Sequence, residues 1–309
     1  MSFKKLALRL LSTKVWRTRV YACDGGVPRP KLAELLFEIG MPQFRWRRMH
    51  LHTVADPFLL VANDKLWLFV EEQRHESKGC IVAWSTDNYF DWTKHGVVLR
   101  EETHLSYPQV FEHDGNYWMI PENGESGSVW LYAAKMLPGP WRRSARLLDT
   151  PHWDATLLSH QGRCYIWATD EQKTLRLYHA DRLQGPYVEH AASPITQDLR
   201  YSRCGGPILS GKDGAIYRLA QDCAQTYGRN LHVVLIKALS RHEYKEALVE
   251  SDILSNNDRW NSNGAHHMSF ARYKGRTVCA TDGLGPDFVL NTFAKFFWRV
   301  IRPFFRRRH

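Results

Sequence analysis

The hydrophobic and polar positions of this chain repeat five times in the same order. Each copy begins with a short apolar segment, passes through a tight polar turn such as Asn-Asp or Asp-Gly, and ends in a segment rich in aromatic or β-branched residues. The copies span residues 55–72, 106–123, 153–170, 205–222 and 266–283. Two apolar segments joined by such a turn predict a β-hairpin.

Four of these hairpins are followed by a further segment of β type. These segments span residues 79–87, 128–135, 174–181 and 230–240. Units of three or four strands that recur every 47 to 61 residues are typical of the blades of a β-propeller. The sequence therefore predicts an all-β fold, a five-bladed β-propeller, over residues 51–286.

The pattern changes at both ends of the chain. Residues 1–50 are basic, and their apolar positions, Leu6, Leu10, Leu11 and Trp16, predict an extension with a short amphipathic helix. Residues 287–309 also follow the helical period. Six apolar side chains gather on one side of that predicted helix: Phe293, Phe296, Phe297, Val300, Ile301 and Phe304.

Charge gives these ends a predicted role. The chain has a net charge of +10, and residues 287–309 contain six Lys or Arg against one Asp. A basic amphipathic helix of this kind is typical of an anchor on an anionic membrane surface, although it also suits a helix docked on the propeller. No apolar run approaches the roughly 20 residues that cross a bilayer. Since no secretory signal precedes the cysteines, we expect a cytoplasmic protein, peripheral on the inner face of the membrane.

Composition also limits the chemistry. Basic residues are concentrated at the termini rather than interleaved with aromatic residues in a motif, so no nucleic-acid partner is expected. The six cysteines lack CxxC spacing, which favours reduced thiols and no metal site. The sequence contains no Walker loop, no GxGxxG after a strand and no GxSxG motif.

Residues at equivalent places in the repeats should converge, because a propeller puts the same end of every blade around one channel. The first row contains two carboxylates and a histidine: Asp56, Tyr107, Asp154, Gly206 and His267. A second row follows fifteen residues later: Glu71, Glu122, Thr169, Gln221 and Asp282. A carboxylate beside an apolar strand is costly unless it is hydrogen-bonded or functional, so Asp56, Asp154 and Glu122 are predicted site residues. Glu71 and Asp282 suit a site or hydrogen bonds between blades equally well.

Further polar residues occur in the last two repeats. The fourth repeat supplies a dense set: Arg203, Arg218, Gln221, Asp222 and Tyr227. The fifth repeat contains the adjacent pair His266 and His267. Neighbouring residues of a strand face opposite ways, so only one of these histidines should reach the cavity.

Several motifs resemble a known family. HTVADPFLL with FVEE, HLSYPQVFEHDGNYWMIPEN, WDATLL, SRCGGPI with YRLAQDC and YG, and GAHH occur in this order. Over roughly residues 45–285 they resemble the propeller domain at the N-terminus of plant glucosamine inositolphosphorylceramide transferases, whose stand-alone bacterial relatives are usually met among surface-polysaccharide genes. The pattern is more remotely similar to the five-bladed fold of glycoside hydrolase family 43. That resemblance implies that Asp56 is the general base and Asp154 the orienting aspartate, whereas the position of the general acid falls on Gly205.

The missing acid favours glycosyl transfer. A glycosidase must protonate its leaving group, whereas a departing phosphate needs positive charge instead. We therefore predict a membrane-associated glycosyltransferase of cell-surface glycan (polysaccharide or glycolipid) biosynthesis. The resemblance implies that a furanose is transferred. The donor would be a sugar nucleotide or a lipid-phosphate sugar, the acceptor a glycan or glycolipid, and no separate cofactor is expected.

Each candidate residue then has a predicted role. Asp56 is the base or nucleophile, Asp154 positions the donor, and Glu122 and Asp222 bind sugar hydroxyls. Substrate binding is assigned to a larger set: Glu71, Tyr107, Arg203, Arg218, Gln221, Tyr227, His266 and His267. Within that set the arginines, joined by Arg229, and one histidine would stabilise the leaving phosphate.

Two alternatives remain at this point. The first is a glycoside hydrolase acting on furanosides, in which Glu122 or Asp222 has become the general acid. The second is a non-catalytic glycan-binding propeller that recruits a partner transferase to the membrane.

Overall fold

The computed structural model describes residues 12–25, 31–40, 52–74, 77–211, 213–254 and 258–288. This part of the chain is folded almost entirely into strands, which form five small sheets. The sheets are arranged as a five-bladed β-propeller, so the predicted fold class is confirmed.

The strands are numbered along the chain, and each sheet is one blade. The N-terminal strands are β1 (Ser12–Asp24) and β2 (Lys31–Ile39). Blade one contains β3 (His52–Ala62), β4 (Lys65–Arg74), β5 (Cys80–Thr86) and β6 (Thr93–Leu99). Blade two contains β7 (Ser106–His113), β8 (Asn116–Glu122), β9 (Val129–Ala134) and β10 (Arg142–Leu148).

Blade three contains β11 (Trp153–His160), β12 (Arg163–Thr169), β13 (Leu175–Ala180) and β14 (Val188–Glu189). Blade four contains β15 (Arg203–Cys204), β16 (Leu209–Ser210), β17 (Ile216–Asp222), β18 (Asn230–Leu239) and β19 (Tyr244–Glu250). The last strands are β20 (Met268–Tyr273) and β21 (Arg276–Phe288). Two short 3₁₀ helices span Gly124–Ser126 and Arg259–Asn261.

The fifth blade joins the two ends of the described chain. Its strand order is β2-β1-β21-β20, with Thr18 paired with Asp282 in the antiparallel register of β1 and β21. The prediction that residues 1–50 form an extension with a helix is therefore wrong for β1 and β2; residues 1–11 lie outside the described chain. β1 lies between β21 and β2, so both its edges are hydrogen-bonded, and buried β-branched residues such as Val15 and Val20 suit a strand there.

The structure describes only the first two residues of the predicted C-terminal helix, 287–309. β21 continues through Phe288, two residues beyond the predicted end of the propeller at residue 286. The predicted membrane-surface helix otherwise falls at 289–309, outside the described residues. Within the described part of the chain, no helix has the length and apolar character that crossing a membrane requires.

Three inner strands share a local irregularity that positions the site. The pairing of β3 with β4 shifts between Ala55 and Phe58, so that two residues oppose one, and the same shift occurs in β7 and β11. The first bulged residue is left-handed each time, with φ of 51° at Asp56, 45° at Tyr107 and 50° at Asp154. Such β-bulges redirect a side chain out of the regular alternation, and here they fall on the first repeated row.

Candidate functional site

Asp56 lies in the bulge of β3 and is almost completely buried. Its Oδ2 accepts the backbone N–H of Tyr107 at 3.1 Å, and its own N–H donates to Asp282 Oδ2 at 3.2 Å. Burial raises the pKa of Asp56 well above its ordinary value, opposed by the nearby charge of His266. Asp56 is therefore a carboxyl with a strong tendency to take up a proton.

Asp282 organises this side of the site. Its Oδ1 accepts the backbone N–H groups of His266 and His267 at 2.9 and 3.0 Å. Its Oδ2 lies 2.6 Å from Nδ1 of His266, which is itself 3.9 Å from Asp56 Oδ1. Burial disfavours the charge on His266, but the Asp282 carboxylate outweighs burial and raises the pKa of His266 to about 9. A buried imidazolium thus lies between two carboxyl groups.

Asp154 is held by the fourth blade. Arg203 donates from Nε to Asp154 Oδ2 at 2.6 Å, and Gln221 donates from Nε2 to the same oxygen at 2.8 Å. Gln221 also donates to the carbonyl of Cys204 at 2.6 Å, which fixes its amide. Asp154 is therefore oriented by an ion pair and a hydrogen bond from another blade, which fits a positioning role.

Glu122 lies at the end of β8, next to this pair. Ser106 donates to its Oε2 at 3.1 Å, and a terminal nitrogen of Arg203 lies 3.8 Å from the same oxygen. Burial and then the charge of Asp154 raise the pKa of Glu122 to about 7, despite the opposing effect of Arg203. Glu122 is therefore able to exchange a proton near neutral pH.

Tyr107 and His267, both predicted to bind substrate, lie inside the protein instead. The Tyr107 hydroxyl donates to the carbonyl of Gly206 and accepts its N–H, both at 2.9 Å, so it joins two blades. His267 packs against Phe58 and Tyr107 with ring centroids 4.5 and 5.2 Å apart. Burial lowers the pKa of His267 to about 3, which keeps it neutral. Both were predicted as ligands, but the inner strands bury both side chains completely in this structure.

The position that the resemblance assigns to a general acid is sterically closed. A Cβ on Gly205 would lie 2.9 Å from the carbonyl oxygen of His266 and 2.3 Å from a buried Leu231 methyl carbon. A Cβ on Gly206, where φ is 145°, would lie 2.1 Å from the carbonyl oxygen of Met268. These glycines allow the inner strands of blades four and five to approach, so no acidic side chain fits here.

Two predicted site residues of blade four face away from the carboxylates. Arg218 is fully buried and pairs with Glu246 through two bonds of 3.1 and 2.8 Å. Asp222 accepts the N–H of Ala224 at 2.9 Å and Nε of Arg229 at 2.8 Å. Arg218 and Asp222 lie on the opposite face of β17 from Gln221, since strand residues alternate, so the structure does not bring them to Asp56 and Asp154. Arg229 is paired with Asp222 and Asp252.

Glu71 is placed beside the site but is already paired. Its Oε1 lies 3.2 Å from Nε2 of His104, whose Nδ1 accepts the N–H of Gly79 at 3.0 Å. The Glu71 interaction is the main cause that raises the pKa of His104. Glu71 also adds to the rise in the pKa of Asp56, so it acts electrostatically rather than by exposed contact.

The aromatic side chains around His266 include one that was not predicted from the sequence as a site residue. Trp16 of β1 stacks on His266 with centroids 4.1 Å apart and an interplanar angle of 16°. Tyr227 lies edge-on to His266 at 5.1 Å, and the Arg203 guanidinium lies 5.2 Å from the Tyr227 ring centroid. Trp16 was missed because it precedes the repeats; the β-branched residues around it were the available signal.

Two groups of side chains have the spacing of metal ligands. Asp56, His266 and Asp282 offer atoms within 4.8 Å of one another. In this cluster Asp282 already accepts three backbone N–H groups, and its Oδ2 lies 2.6 Å from Nδ1 of His266. In the second group, Asp222 and Asp252 are bridged by the Arg229 guanidinium at 2.7 Å from each, which occupies the place of a cation.

Comparison with known proteins gives the same fold and identifies relatives. An α-L-arabinofuranosidase from Podospora anserina, solved in complex with cellotriose, aligns with a TM-score of 0.58 at 12% identity, covering 78% of this chain and 93% of that one. A family 117 glycoside hydrolase from Zobellia galactanivorans aligns with a TM-score of 0.51 at 13% identity, covering 78% and 86%. At these identities the likeness shows the shared fold alone.

Sequence relatives are considerably more similar. Glucosamine inositolphosphorylceramide transferase 1 of Oryza sativa subsp. japonica is 33% identical over 244 residues, 74% of this chain, and the Arabidopsis thaliana protein of that name is 31% identical over 245. The chain spans about a third of the length of these relatives. The family model described as "Glucosamine inositolphosphorylceramide transferase 1, N-terminal" matches residues 47–283. The chain therefore belongs to this family of N-terminal propeller domains.

Proposed function

We propose that this propeller acts in glycosyl transfer during the assembly of a cell-surface glycan or glycolipid, and that the reacting sugar binds at the central cluster. One observation carries the proposal. Asp56 and Asp154 occupy matching bulges beside two cationic side chains, while the general-acid position at Gly205 is closed. The names of the plant relatives support transfer to a glycolipid as the reaction class.

The proposed chemistry follows from the partners of each group. Asp56, whose pKa is raised, accepts the proton of the acceptor hydroxyl as that oxygen bonds to the anomeric carbon. The bond from that carbon to the donor phosphate breaks, and the phosphate leaves with the electron pair. Asp154, fixed by Arg203 and Gln221, accepts a hydrogen bond from a sugar hydroxyl.

Arg203 and His266 are the cations of this cluster that remain for the phosphate. Arg203 is shared with Asp154 and Glu122, which would compete with a phosphate for its charge. Burial raises the pKa of Glu122 to about 7, so protonation of this carboxyl near neutral pH would leave the charge of Arg203 less compensated. The proposal thus gives Glu122 a role in adjusting the charge around the donor.

The test is a search for product with defined donors. We would incubate the protein with sugar nucleotides, furanose forms included, and a lipid-linked acceptor, and detect product by mass. Asp56→Asn should abolish transfer. Asp114→Asn is the control, because this carboxyl is 85% exposed in the β7–β8 turn at the far end of blade two. Product formation that is unchanged in Asp56→Asn would contradict the proposed role.

Hydrolysis is a second candidate because of Glu122. A carboxyl with a pKa of about 7 has the property of a general acid, although it lies in blade two. Release of free sugar from aryl furanosides, lost in both Asp56→Asn and Glu122→Gln, would favour a glycosidase. Transfer to acceptor without free sugar would exclude it.

A binding role is the outcome if no turnover is found. The chain spans only about a third of the plant relatives, so their reaction need not belong to this part. Glycan binding that survives the replacement of both Asp56 and Asp154, with no product from any donor, would support a propeller that recruits a partner transferase.

We also propose that residues 287–309 hold the protein on the cytoplasmic face of the membrane. The support is their sequence, with six basic residues and an apolar side. Since β21 includes Asp287 and Phe288, the test deletes 289–309 and leaves blade five intact. The full chain should sediment with vesicles containing anionic lipid and the deleted chain should not; equal sedimentation would show that the anchor lies elsewhere.

A further inference from the structure

Tyr227 combines exposure with close contact to the central cluster. The residue Tyr227 is 49% exposed, whereas Asp56, Asp154 and His266 are at most 5% exposed. We infer that the exposed side of Tyr227 is the platform for a second sugar ring, so that the ligand is an oligosaccharide or glycoconjugate rather than a single sugar. This inference rests on the proposed sugar-handling function and adds a second subsite to it.

The loop that carries Tyr227 is held at both ends. It leaves β17 at Asp222 and returns at Arg229, and residues 224–227 are exposed. The Asp222 carboxylate binds the first end through the Ala224 N–H and the second through the Arg229 guanidinium. Arg229 also donates to Asp252 at 2.7 Å. The loop is therefore fixed before any ligand binds, and such preorganisation lowers the entropy cost of binding.

The inner side of the loop is fixed as well. A Cβ on Gly228, where φ is 62°, would lie 2.8 Å from the His266 side chain, so the backbone packs directly on the imidazole. Trp16 covers another side of that imidazole and lies edge-on to Tyr227 at 6.3 Å. Tyr227 is thus backed by the buried ring of His266 and the partly buried ring of Trp16.

The ring has one engaged side and one open side. The Arg203 guanidinium lies 5.2 Å from the ring centroid, which places the charged cluster on that side. The remaining surface of the ring lies next to the cluster in which Asp154, bound by Arg203, would hold the first sugar ring. Aromatic rings bind apolar surface with defined geometry, and the C–H face of a sugar ring offers such a surface. The adjacent charged groups would bind hydroxyls.

Other exposed apolar residues lack this setting. Phe90 and Met136 are 57% and 63% exposed but lie in loops after outer strands of blades one and two. Scattered exposed residues of this kind are normal on a protein surface. Tyr227 differs because buried Asp222 binds both ends of its loop and because its ring contacts Arg203, a residue of the site.

The experiment compares the affinities of ligands that have one sugar ring with those that have two. We would measure the affinities of matched pairs: methyl β-glucoside and cellobiose, N-acetylglucosamine and chitobiose, methyl α-arabinofuranoside and arabinobiose. The wild-type protein should prefer the disaccharide of at least one pair by about tenfold. Tyr227→Ala should lose that preference and keep the monosaccharide affinity, while Tyr227→Phe keeps both. Phe90→Ala, the matched control, should behave as wild type.

Asp222 is a positioning residue in this scheme, and it has its own test. Asp222→Asn should reduce the disaccharide preference and leave monosaccharide affinity unchanged, a split that general destabilisation would not produce. Saturation transfer from aromatic protons to one face of the second sugar ring should disappear in Tyr227→Leu.

The outcomes separate the inference from the function on which it rests. If Tyr227→Ala keeps the disaccharide preference, or if the wild type has none for any pair that binds, the second subsite is wrong and the sugar site stands. If the wild-type protein binds no probe at all, the proposed function fails and the inference fails with it.

Discussion

The ion pair between His266 and Asp282 makes stability depend on pH in a defined window. In the fold the pKa of His266 is about 9, against an ordinary value of 6.5. A histidine whose pKa is raised by folding stabilises the fold fully below the unfolded value of 6.5, and the contribution is lost as pH rises through about 9. At 1.36 kcal/mol per pH unit the full contribution is about 3 kcal/mol.

Asp282→Asn removes the anion that raises this pKa. We expect the variant to lose about 3 kcal/mol of unfolding free energy near neutral pH, in the range found when one partner of a buried pair is removed. The pKa of His266 should fall, because burial is then opposed only by the smaller effects of Asp56 and Asp154. Between pH 7.5 and 9.5 the wild type should lose about 2 kcal/mol that the variant does not lose.

Urea unfolding at several pH values measures these differences, and NMR titration of the imidazole gives the pKa directly. Buried tyrosines and cysteines also titrate at high pH, but they are common to both proteins and cancel in the comparison. The raised pKa of Glu122, about 7, changes the unfolding free energy at lower pH, between its unfolded pKa and 7. Equal pH dependence in wild type and variant, or a His266 pKa near 6.5 in the wild type, would refute the reasoning.

Three further predictions test the blade contacts. Gly206→Ala should lower the unfolding free energy by about 3 kcal/mol or more in urea, since its Cβ would lie 2.1 Å from the Met268 carbonyl oxygen; a wild-type midpoint would contradict this. Asp154→Asn should cost about 3 kcal/mol by thermal unfolding, because it leaves the Arg203 charge buried without its main partner, and an unchanged melting temperature would count against the pair. Deleting residues 1–25 should prevent folding as judged by circular dichroism, because β21 would lose its paired strand; a folded product would show that blade five does not need β1.

Much of the fold could be predicted from local pattern. The hairpins and their turns specify strands, and their spacing specifies five blades. The two aligned rows were also readable, because the bulges at Asp56 and Asp154 fall at the same place in each copy. The rule of alternation could have excluded Arg218 and Asp222 as well, since both lie on the opposite face of β17 from Gln221.

Other features of the site were beyond any local pattern. Trp16 meets His266 only because β1 pairs with β21, and nothing around residue 16 indicates which blade the strand joins. The partners of Asp154 come from another blade, and the roles of Tyr107 and His267 depend on how far the inner strands approach.

The sequence by itself determined the repeated hairpins, the number of blades and the residue types at the blade ends, because period-two alternation and turn chemistry act between near neighbours. It did not show that β1 and β2 are strands of blade five. Only the tertiary structure decided which of those residues meet. Pairs such as Arg203 and Asp154, or His266 and Trp16, are distant in sequence, and their approach depends on closing the ring and packing the blades. Burial then sets the charges, and it raises the pKa of Glu122 to about 7 while it lowers that of His267 to about 3.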